Sequence, residues 1–180
     1  MQGIALAAQW LADDKADVCL VIGAEETDWI VADAIKSFRS NVIHGAGAGA
    51  ILMKKDSGSG AIAELAAVTD SFPFTQRQTR AAAARRMRAQ LPPGTTNELL
   101  CTGAQQLPRP DAAERQAWSD WTGVQLAPRA ILGEAFLAAA AWQCVAACDA
   151  IRRNQFAGAN VSVVGANQQA IGVRFAEPVL

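Results

Sequence analysis

Apolar residues recur at helical spacing near the start of the chain and then merge into one continuous run. The spacing of apolar positions from Ile4 to Leu11 predicts a helix over 2–13. The run Val-Cys-Leu-Val-Ile-Gly over 18–23 is typical of a strand that is buried on both faces. A second amphipathic pattern predicts a helix over 28–38.

The middle of the chain reads as a hairpin followed by a helix. Strands over 50–53 and 61–68 are predicted to pair around a polar, glycine-rich turn at 54–60. A helix over 75–91 follows, and a Pro-Pro-Gly sequence ends it.

The remaining residues alternate between strand and helix patterns. The predicted elements are a strand over 98–101, a helix over 110–118, a long apolar helix over 130–153, and strands over 161–164 and 169–175. Strands that alternate with helices, together with hairpins, favour a layered α/β protein with a mixed sheet.

Composition narrows the class of protein. Hydrophobic residues make up 51% and charged residues 18%, which excludes a disordered chain. Sixteen basic and seventeen acidic residues give a net charge of −1, so no nucleic-acid partner is expected. The apolar stretch 135–148 is shorter than the roughly 20 residues of a membrane span, and the first residues lack a basic signal-peptide region. We therefore expect a cytoplasmic protein without a membrane span.

The cysteines are predicted to be free, buried thiols of a reducing compartment. Cys144 and Cys148 lie four residues apart on one helix face and could in principle share a metal. Structural zinc requires four ligands, and His44 is the one histidine of the chain. Neither a metal nor a cofactor is expected.

Several short segments, most of which contain glycine, occur in a particular order along the chain. They are 16–25 (Ala-Asp-Val-Cys-Leu-Val-Ile-Gly-Ala-Glu), 45–52, 131–135, 164–167 and, more weakly, 102–104 with 111–114. In order and spacing they resemble the β-ketoacyl synthase family, the condensing enzymes of fatty-acid and polyketide synthesis. The match covers nearly the whole chain but only about the second half of the family's length.

The resemblance implies a layered thiolase-like α-β-α-β-α architecture with mixed sheets that is incomplete at the N-terminus. It implies that residues 1–72 are the remainder of the first thiolase-like half. Residues 73–180 would then form a shortened second half, packed with the first as one globular unit.

The family's reaction uses a Cys nucleophile at a helix N-terminus and two histidines that stabilise oxyanions. The resemblance places the nucleophile upstream of Met1, the first histidine at Thr102 or Gly103, and the second at Glu134. A glutamate cannot donate to an oxyanion at neutral pH unless burial raises its pKa. The chain is therefore expected not to catalyse the condensation.

The resemblance also implies that Gly133, Glu134 and Asn167 line the remnant of the catalytic cleft. Glu134 has two interpretations: a cleft carboxylate with an altered role, or an acid that the dipole of the following helix satisfies. The glycine-rich segment 45–49 precedes a strand and lacks the Lys-Ser/Thr of a phosphate loop, so close backbone packing is the better account.

One predicted helix carries a basic cluster without acidic residues, formed by Arg77, Arg80, Arg85, Arg86 and Arg88. It is interpreted either as an ordinary solvated face or as a docking surface for an acidic partner, such as the acyl carrier proteins of the family's pathways. The tryptophans at 10, 29, 118 and 121 are expected to pack in the core or at a subunit interface rather than to form an acyl-chain wall.

Three functions remain open. The first is a degenerate ketosynthase-like partner subunit, comparable to a chain-length factor, that forms a homo- or heterodimer and meets acyl carrier protein. The second is the C-terminal portion of a longer acyltransferase or ketosynthase whose nucleophilic Cys lies upstream of Met1. The third is reuse of the fold as a non-enzymatic ligand-binding or structural protein.

Overall fold

The computed structural model describes residues 1–38, 42–55, 60–75, 77–165 and 168–178. The helices are α1 (Gln2–Ala12), α2 (Trp29–Phe38), α3 (Arg80–Ala89), α4 (Pro108–Ala117), α5 (Pro128–Leu132) and α6 (Phe136–Arg152). The strands are β1 (Val18–Glu25), β2 (Gly47–Lys54), β3 (Glu64–Val68), β4 (Phe72–Pro73), β5 (Glu98–Cys101), β6 (Val124–Leu126), β7 (Gly158–Val164) and β8 (Gln169–Ala176).

Six strands form one mixed sheet in the order β3-β8-β7-β5-β6, with β4 also paired to β8. Strand β5 runs parallel to both β6 and β7, whereas β7 and β8 form an antiparallel hairpin. The remaining two strands, β1 and β2, form a separate two-stranded antiparallel sheet, with Leu20 opposite Leu52. The predicted mixed α/β architecture is confirmed.

Helix α6 lies between the β1–β2 sheet and the six-stranded sheet, and α1 packs beside it against β1. Small residues allow the β1–β2 sheet to approach this helix closely. A Cβ atom on Gly23 would lie 2.6 Å from the carbonyl oxygen of Leu137, and one on Gly49 would lie 2.9 Å from Cβ of Ala141. The predicted role of the glycine-rich segment, close backbone packing, is confirmed.

Helices α3 and α4 cover the opposite face of the six-stranded sheet. Trp118 and Trp121 belong to the core there and pack edge to face with ring centres 5.6 Å apart. The expectation that these two rings are core residues is confirmed. Trp10 and Trp29 are 46% and 75% exposed, so they are not core residues, and their expected place at a subunit interface stays a prediction.

Three local predictions were wrong for identifiable reasons. Strand β3 pairs with β8 rather than with β2, because β1 has taken β2 as its partner. Strand β1 is not buried on both faces: its residues alternate between exposed and half-buried, and α1 and α6 pack against it. The long helix predicted over 130–153 is interrupted at Gly133, which has a φ of 87°.

One face of the β1–β2 sheet is apolar and exposed. The exposed fractions are 47% for Val18, 59% for Leu20, 60% for Ile22 and 61% for Leu52. No helix within the described ranges is long and apolar enough to cross a membrane. The predicted boundary between residues 72 and 73 stays a prediction; β4 crosses it and pairs with β8.

Candidate functional site

The N-termini of α1 and α6 open onto one cleft of about 290 Å³. Residues 1–4 line it from α1, and Phe136 and Leu137 line it from α6. Strands β1, β2, β7 and β8 complete its walls, which are mostly apolar. Because each helix N-terminus carries a partial positive charge, two such charges meet at this cleft.

A buried ion pair occupies the polar end of the cleft. Arg129 and Glu134 both line the cleft, and their side chains are only 6% and 5% exposed. Nη2 of Arg129 donates to Oε2 of Glu134, as does the side-chain amide of Gln105. Oε1 of Glu134 accepts from the backbone N–H of Phe136 at 2.9 Å. Every oxygen of this carboxylate is therefore satisfied by the protein itself.

The structure fixes the place of Glu134, while the two interpretations of its role made from the sequence stay predictions. It lies in the cleft, and it also satisfies the start of α6 through Phe136. Arg129 had not been singled out. The sequence does carry a signal for this ion pair: an arginine precedes a glutamate by five residues in an otherwise apolar segment. Buried charges must be paired, so the two side chains were candidates for each other.

The loop after β5 is held by two carboxylates of α4. Asp111 accepts from the backbone N–H groups of Gln105 (3.1 Å) and Leu107 (2.8 Å). Glu114 accepts from the backbone N–H of Gly103 at 3.1 Å. Fixing this loop is what brings the Gln105 side chain to the ion pair.

Gly103 leaves the space that the Arg129 guanidinium fills. A Cβ atom at position 103 would lie 2.9 Å from Nη1 of Arg129 and 3.5 Å from Oε2 of Glu114. A larger side chain here, including an imidazole, would have to displace the guanidinium. The two positions that the resemblance matched to histidines, 103 and 134, are therefore brought together, with Arg129 in contact with both. Thr102, the other position considered for the first histidine, is buried beside them.

A backbone bridge fixes the segment before α6. Glu134 donates from its N–H to the carbonyl of Ile43 (2.7 Å) and accepts from the N–H of Gly45 (2.9 Å). Gly133 packs against this bridge, where a Cβ atom would lie 2.9 Å from backbone atoms of both residues. His44, in the middle of the bridge, has both ring nitrogens buried without a partner in the described part of the chain. Asn167, predicted to line the cleft, lies outside the described residues.

Glu114 is buried, and burial raises its pKa to about 7, although hydrogen bonds from Ser162 and Gly103 and the charge of Arg129 oppose the shift. Its folded-state pKa therefore exceeds the ordinary value of 4.5. Between these two values the folded state holds a proton that the unfolded state releases. The free energy of unfolding should fall as the pH rises through this window, by at most about 1.4 kcal/mol per pH unit.

Urea denaturation at pH 5 and pH 7.5 measures this fall. Glu114→Gln should remove most of it, because a glutamine oxygen still accepts from Gly103 and Ser162 but does not titrate. An unchanged pH dependence in the variant would contradict the assignment to Glu114.

The Arg88 side chain packs against other residues instead of projecting into solvent. Its guanidinium lies 4.4 Å from the ring centre of Trp118 and donates to the carbonyl oxygens of Leu91 and Pro92. It also pairs with Asp120 at 3.2 Å. These contacts leave it little freedom to meet a partner.

The other arginines of the basic cluster lie nearer the surface. The guanidinium groups of Arg80 and Arg86 lie 5.0 Å and 4.5 Å from the ring centres of Phe74 and Phe72. Two further side chains of the cluster are exposed: Arg77 and Arg85. Cation–π stacking holds Arg80 and Arg86 in place at the surface.

The cysteines are free thiols; Cys101 and Cys144 are buried as predicted, whereas Cys19 and Cys148 are only half-buried. Burial raises the pKa of Cys101, Cys144 and Cys148 to about 12, so these thiols are poor nucleophiles. Within the described ranges, no group of three or more His, Cys, Asp or Glu side chains is placed to hold a metal ion.

No protein-family model matches the sequence, and no curated protein matches it. Solved structures do. The ishigamide ketosynthase/chain length factor superimposes with a TM-score of 0.84 at 14% identity, covering 99% of this chain and 58% of that one. A β-ketoacyl synthase from Burkholderia phymatum STM815 gives the same TM-score and identity, with 99% and 59% covered.

A third structure is a type II polyketide synthase acyl-carrier protein in complex with its ketosynthase bound to the hexaketide. Its TM-score is 0.76 at 14% identity, with 98% of this chain and 55% of that chain covered. These similarities establish a thiolase-like fold of the ketosynthase type. The chain spans between 55% and 59% of the length of these three structures.

Proposed function

We propose that this chain is a non-catalytic partner subunit of an active condensing enzyme in fatty-acid or polyketide synthesis. The observation that carries the proposal is the buried pair of Arg129 and Glu134 at the N-terminus of α6. An acyl-condensing centre needs donors aimed at a developing oxyanion. At this position the chain has instead the Glu134 carboxylate, both of whose oxygens already accept hydrogen bonds. The guanidinium of Arg129 donates to that carboxylate.

The exposed apolar face of the β1–β2 sheet supports a protein partner. Val18, Leu20, Ile22 and Leu52 lie on one side of β1 and β2 and remain exposed. Contiguous exposed apolar surface of this kind is characteristic of interaction sites. We propose this face as the surface of a homo- or heterodimer; sizing and cross-linking that detect only monomer would contradict it.

Co-expression with an active ketosynthase tests the function. The chain alone should not condense acyl and malonyl thioesters on acyl carrier protein, whereas the purified complex should. Arg129→Met combined with Glu134→Gln, which leaves no buried charge unpaired, should keep the rate per assembled complex within about twofold, since the proposal gives this pair no step in the chemistry. A fall of a hundredfold without loss of assembly would make the chain catalytic.

A longer acyltransferase is the second candidate, because of the position of α1. Its first residues line the cleft, so a cysteine directly before this helix would lie at the cleft beside the N-terminus of α6. A helix N-terminus lowers the pKa of such a thiol. The intact mass of the native protein separates the candidates, since about twice the mass of this chain would mean that Met1 is internal.

We further propose that the basic cluster docks an acidic acyl carrier protein through Arg77, Arg80, Arg85 and Arg86. Charge and exposure support this surface, and the packing of Arg88 against Trp118 argues against including it. The free, largely buried thiols are compatible with the cytoplasm as the proposed location.

Charge reversal tests the docking surface. Arg85→Glu combined with Arg86→Glu should weaken binding of acyl carrier protein about tenfold at low salt, and the difference should shrink at high salt. Arg152→Glu with Arg153→Glu is the matched control, because both residues pair with Asp149 at the end of α6. Equal weakening in both double variants would count against the docking surface.

A further inference from the structure

Helix α2 lacks a packing partner within its own chain. It is ten residues long and makes no extensive contact with any other helix or strand of the described ranges. Trp29 and Ile30 are 75% and 58% exposed, and Ala34 is also exposed. A helix of this length is marginal in water without tertiary packing. We therefore expect its apolar side to be covered.

Local hydrogen bonds fix the start of α2 at the end of β1. Thr27 donates from Oγ1 to the carbonyl oxygen of Gly45 at 2.9 Å. Oδ1 of Asp28 accepts from the backbone N–H of Val31 at 2.8 Å. In this position the helix leaves the apolar face of the β1–β2 sheet uncovered. The chain therefore presents two apolar surfaces that do not meet each other.

The exposed face of the β1–β2 sheet also carries a positive charge. Alternation along β2 places Lys54 on the same side as Leu52, and the register pairs Lys54 with Val18. Lys54 is exposed and forms no ion pair with any residue that the structure describes. A partner that covers this face must therefore supply an acidic group near this end of the strand.

Helix α2 has an acidic residue in the middle of its exposed apolar side. At about 100° per residue, Asp33 falls between Trp29 on one side and Ile30 and Ala34 on the other. Its ion pair with Lys36, at 4.0 Å between largely exposed side chains, is weak. The apolar sides of the helix and of the sheet thus carry one charge each, and the two charges are opposite.

We propose that two copies of this chain form a twofold dimer in which α2 of each copy packs on the exposed β1–β2 face of the other. Asp33 of each copy then lies opposite Lys54 of the other copy. Both copies use the same surface, so the contact occurs twice and the assembly closes.

The area available agrees with a stable dimer. The apolar side chains that the dimer would cover in each copy are Val18, Leu20, Ile22, Trp29, Ile30 and Leu52. Their exposed parts come to roughly 700 Å² in each copy, and a stable interface buries about 800 Å² in each partner. The inference rests on the dimer surface proposed above and names its occupant. A ketosynthase partner would have to displace one copy from it.

Two charge reversals test the dimer by sedimentation velocity. The unaltered chain should sediment at twice the mass of one copy. Asp33→Lys alone and Lys54→Asp alone should each raise the dissociation constant about a hundredfold, since like charges then meet at both contacts. An equimolar mixture of the two variants should return to within about tenfold of the unaltered chain, because each mixed dimer pairs lysine with aspartate twice.

The mixture also shows whether the contact joins two copies. A contact between α2 and the sheet face of the same chain would be lost in both variants and would not return on mixing. Arg153→Asp is the matched control: it reverses an exposed charge at the end of α6, while Asp149 keeps Arg152 as its partner. This control should dimerise like the unaltered chain.

Three results would overturn the inference: an unaltered chain that sediments as a monomer, single variants that dimerise as well as the control, or a mixture that stays monomeric. Sedimentation uses the chain alone, whereas the proposed function is tested by the activity of a complex with a ketosynthase. A homodimer that forms no active complex would remove the proposed function and keep this inference. An active complex formed by a monomeric chain would do the reverse.

Discussion

Arg129→Met should lower the free energy of unfolding by about 3–5 kcal/mol, the largest effect expected from a single side chain in the cleft. The reason is the carboxylate that would be left behind. Glu134 is 4% exposed, and without the guanidinium it would be a buried charge with only amide donors. Removing one partner of a buried ion pair costs more than the pair itself contributes.

The double variant distinguishes the effect of losing the ion-pair contact from the effect of leaving a buried charge unpaired. Arg129→Met with Glu134→Gln removes both charges, and the glutamine oxygen still accepts from the N–H of Phe136. Its free energy of unfolding should recover to within about 2 kcal/mol of the unaltered chain. Denaturant unfolding of all three proteins gives the comparison. A single variant within about 1 kcal/mol of the unaltered chain would mean that the pair is not buried as described.

The same substitution has a second, independent readout. The charge of Arg129 holds the pKa of Glu114 below the value that burial alone would give it. In Arg129→Met the pKa of Glu114 should therefore rise further. The pH window over which stability falls should extend upward, which a packing defect alone would not produce.

The hydrophobic periodicity correctly predicted several strands and helices, because each of them depends mainly on residues that are close in sequence. The strand over 98–101 and the closing strand from 169 agree with β5 and β8, and the first helix agrees with α1. Which strand pairs with which depends on contacts distant in sequence. The hairpin of β2 with β3 was therefore wrong, although both strands exist.

The sequence predicted where the candidate site lies, but not which side chains interact within it. The resemblance marked positions 103 and 134, which the structure brings together. It did not mark Arg129, which lies between them, or Gln105, which reaches Glu134 from another loop. Such partners are set by tertiary geometry. The break before α6 was also missed, because the backbone bridge from Ile43 to Gly45 that requires it comes from a remote segment.

Gly45→Ala should lower the free energy of unfolding by about 3 kcal/mol, through sterics alone. A Cβ atom at position 45 would lie 2.2 Å from the carbonyl oxygen of Leu132, and backbone atoms cannot move aside as a side-chain tip can. The N–H of Gly45 also donates to the carbonyl of Glu134, so displacement would disturb the bridge that places the ion pair.

Gly3→Ala is the matched control for this substitution. Its Cβ would lie 3.1 Å from a methyl group of Val21, a mild contact, and alanine in α1 gains about 1 kcal/mol of helix propensity. The control should remain within about 1 kcal/mol of the unaltered chain, of either sign. Both variants add one methyl group, so a difference between their free energies of unfolding, measured with denaturant, reports the position of the substitution. Equal stability of the two would mean that the glycine-rich segment does not pack against α5, and the bridge that aligns Glu134 with the cleft would lose its basis.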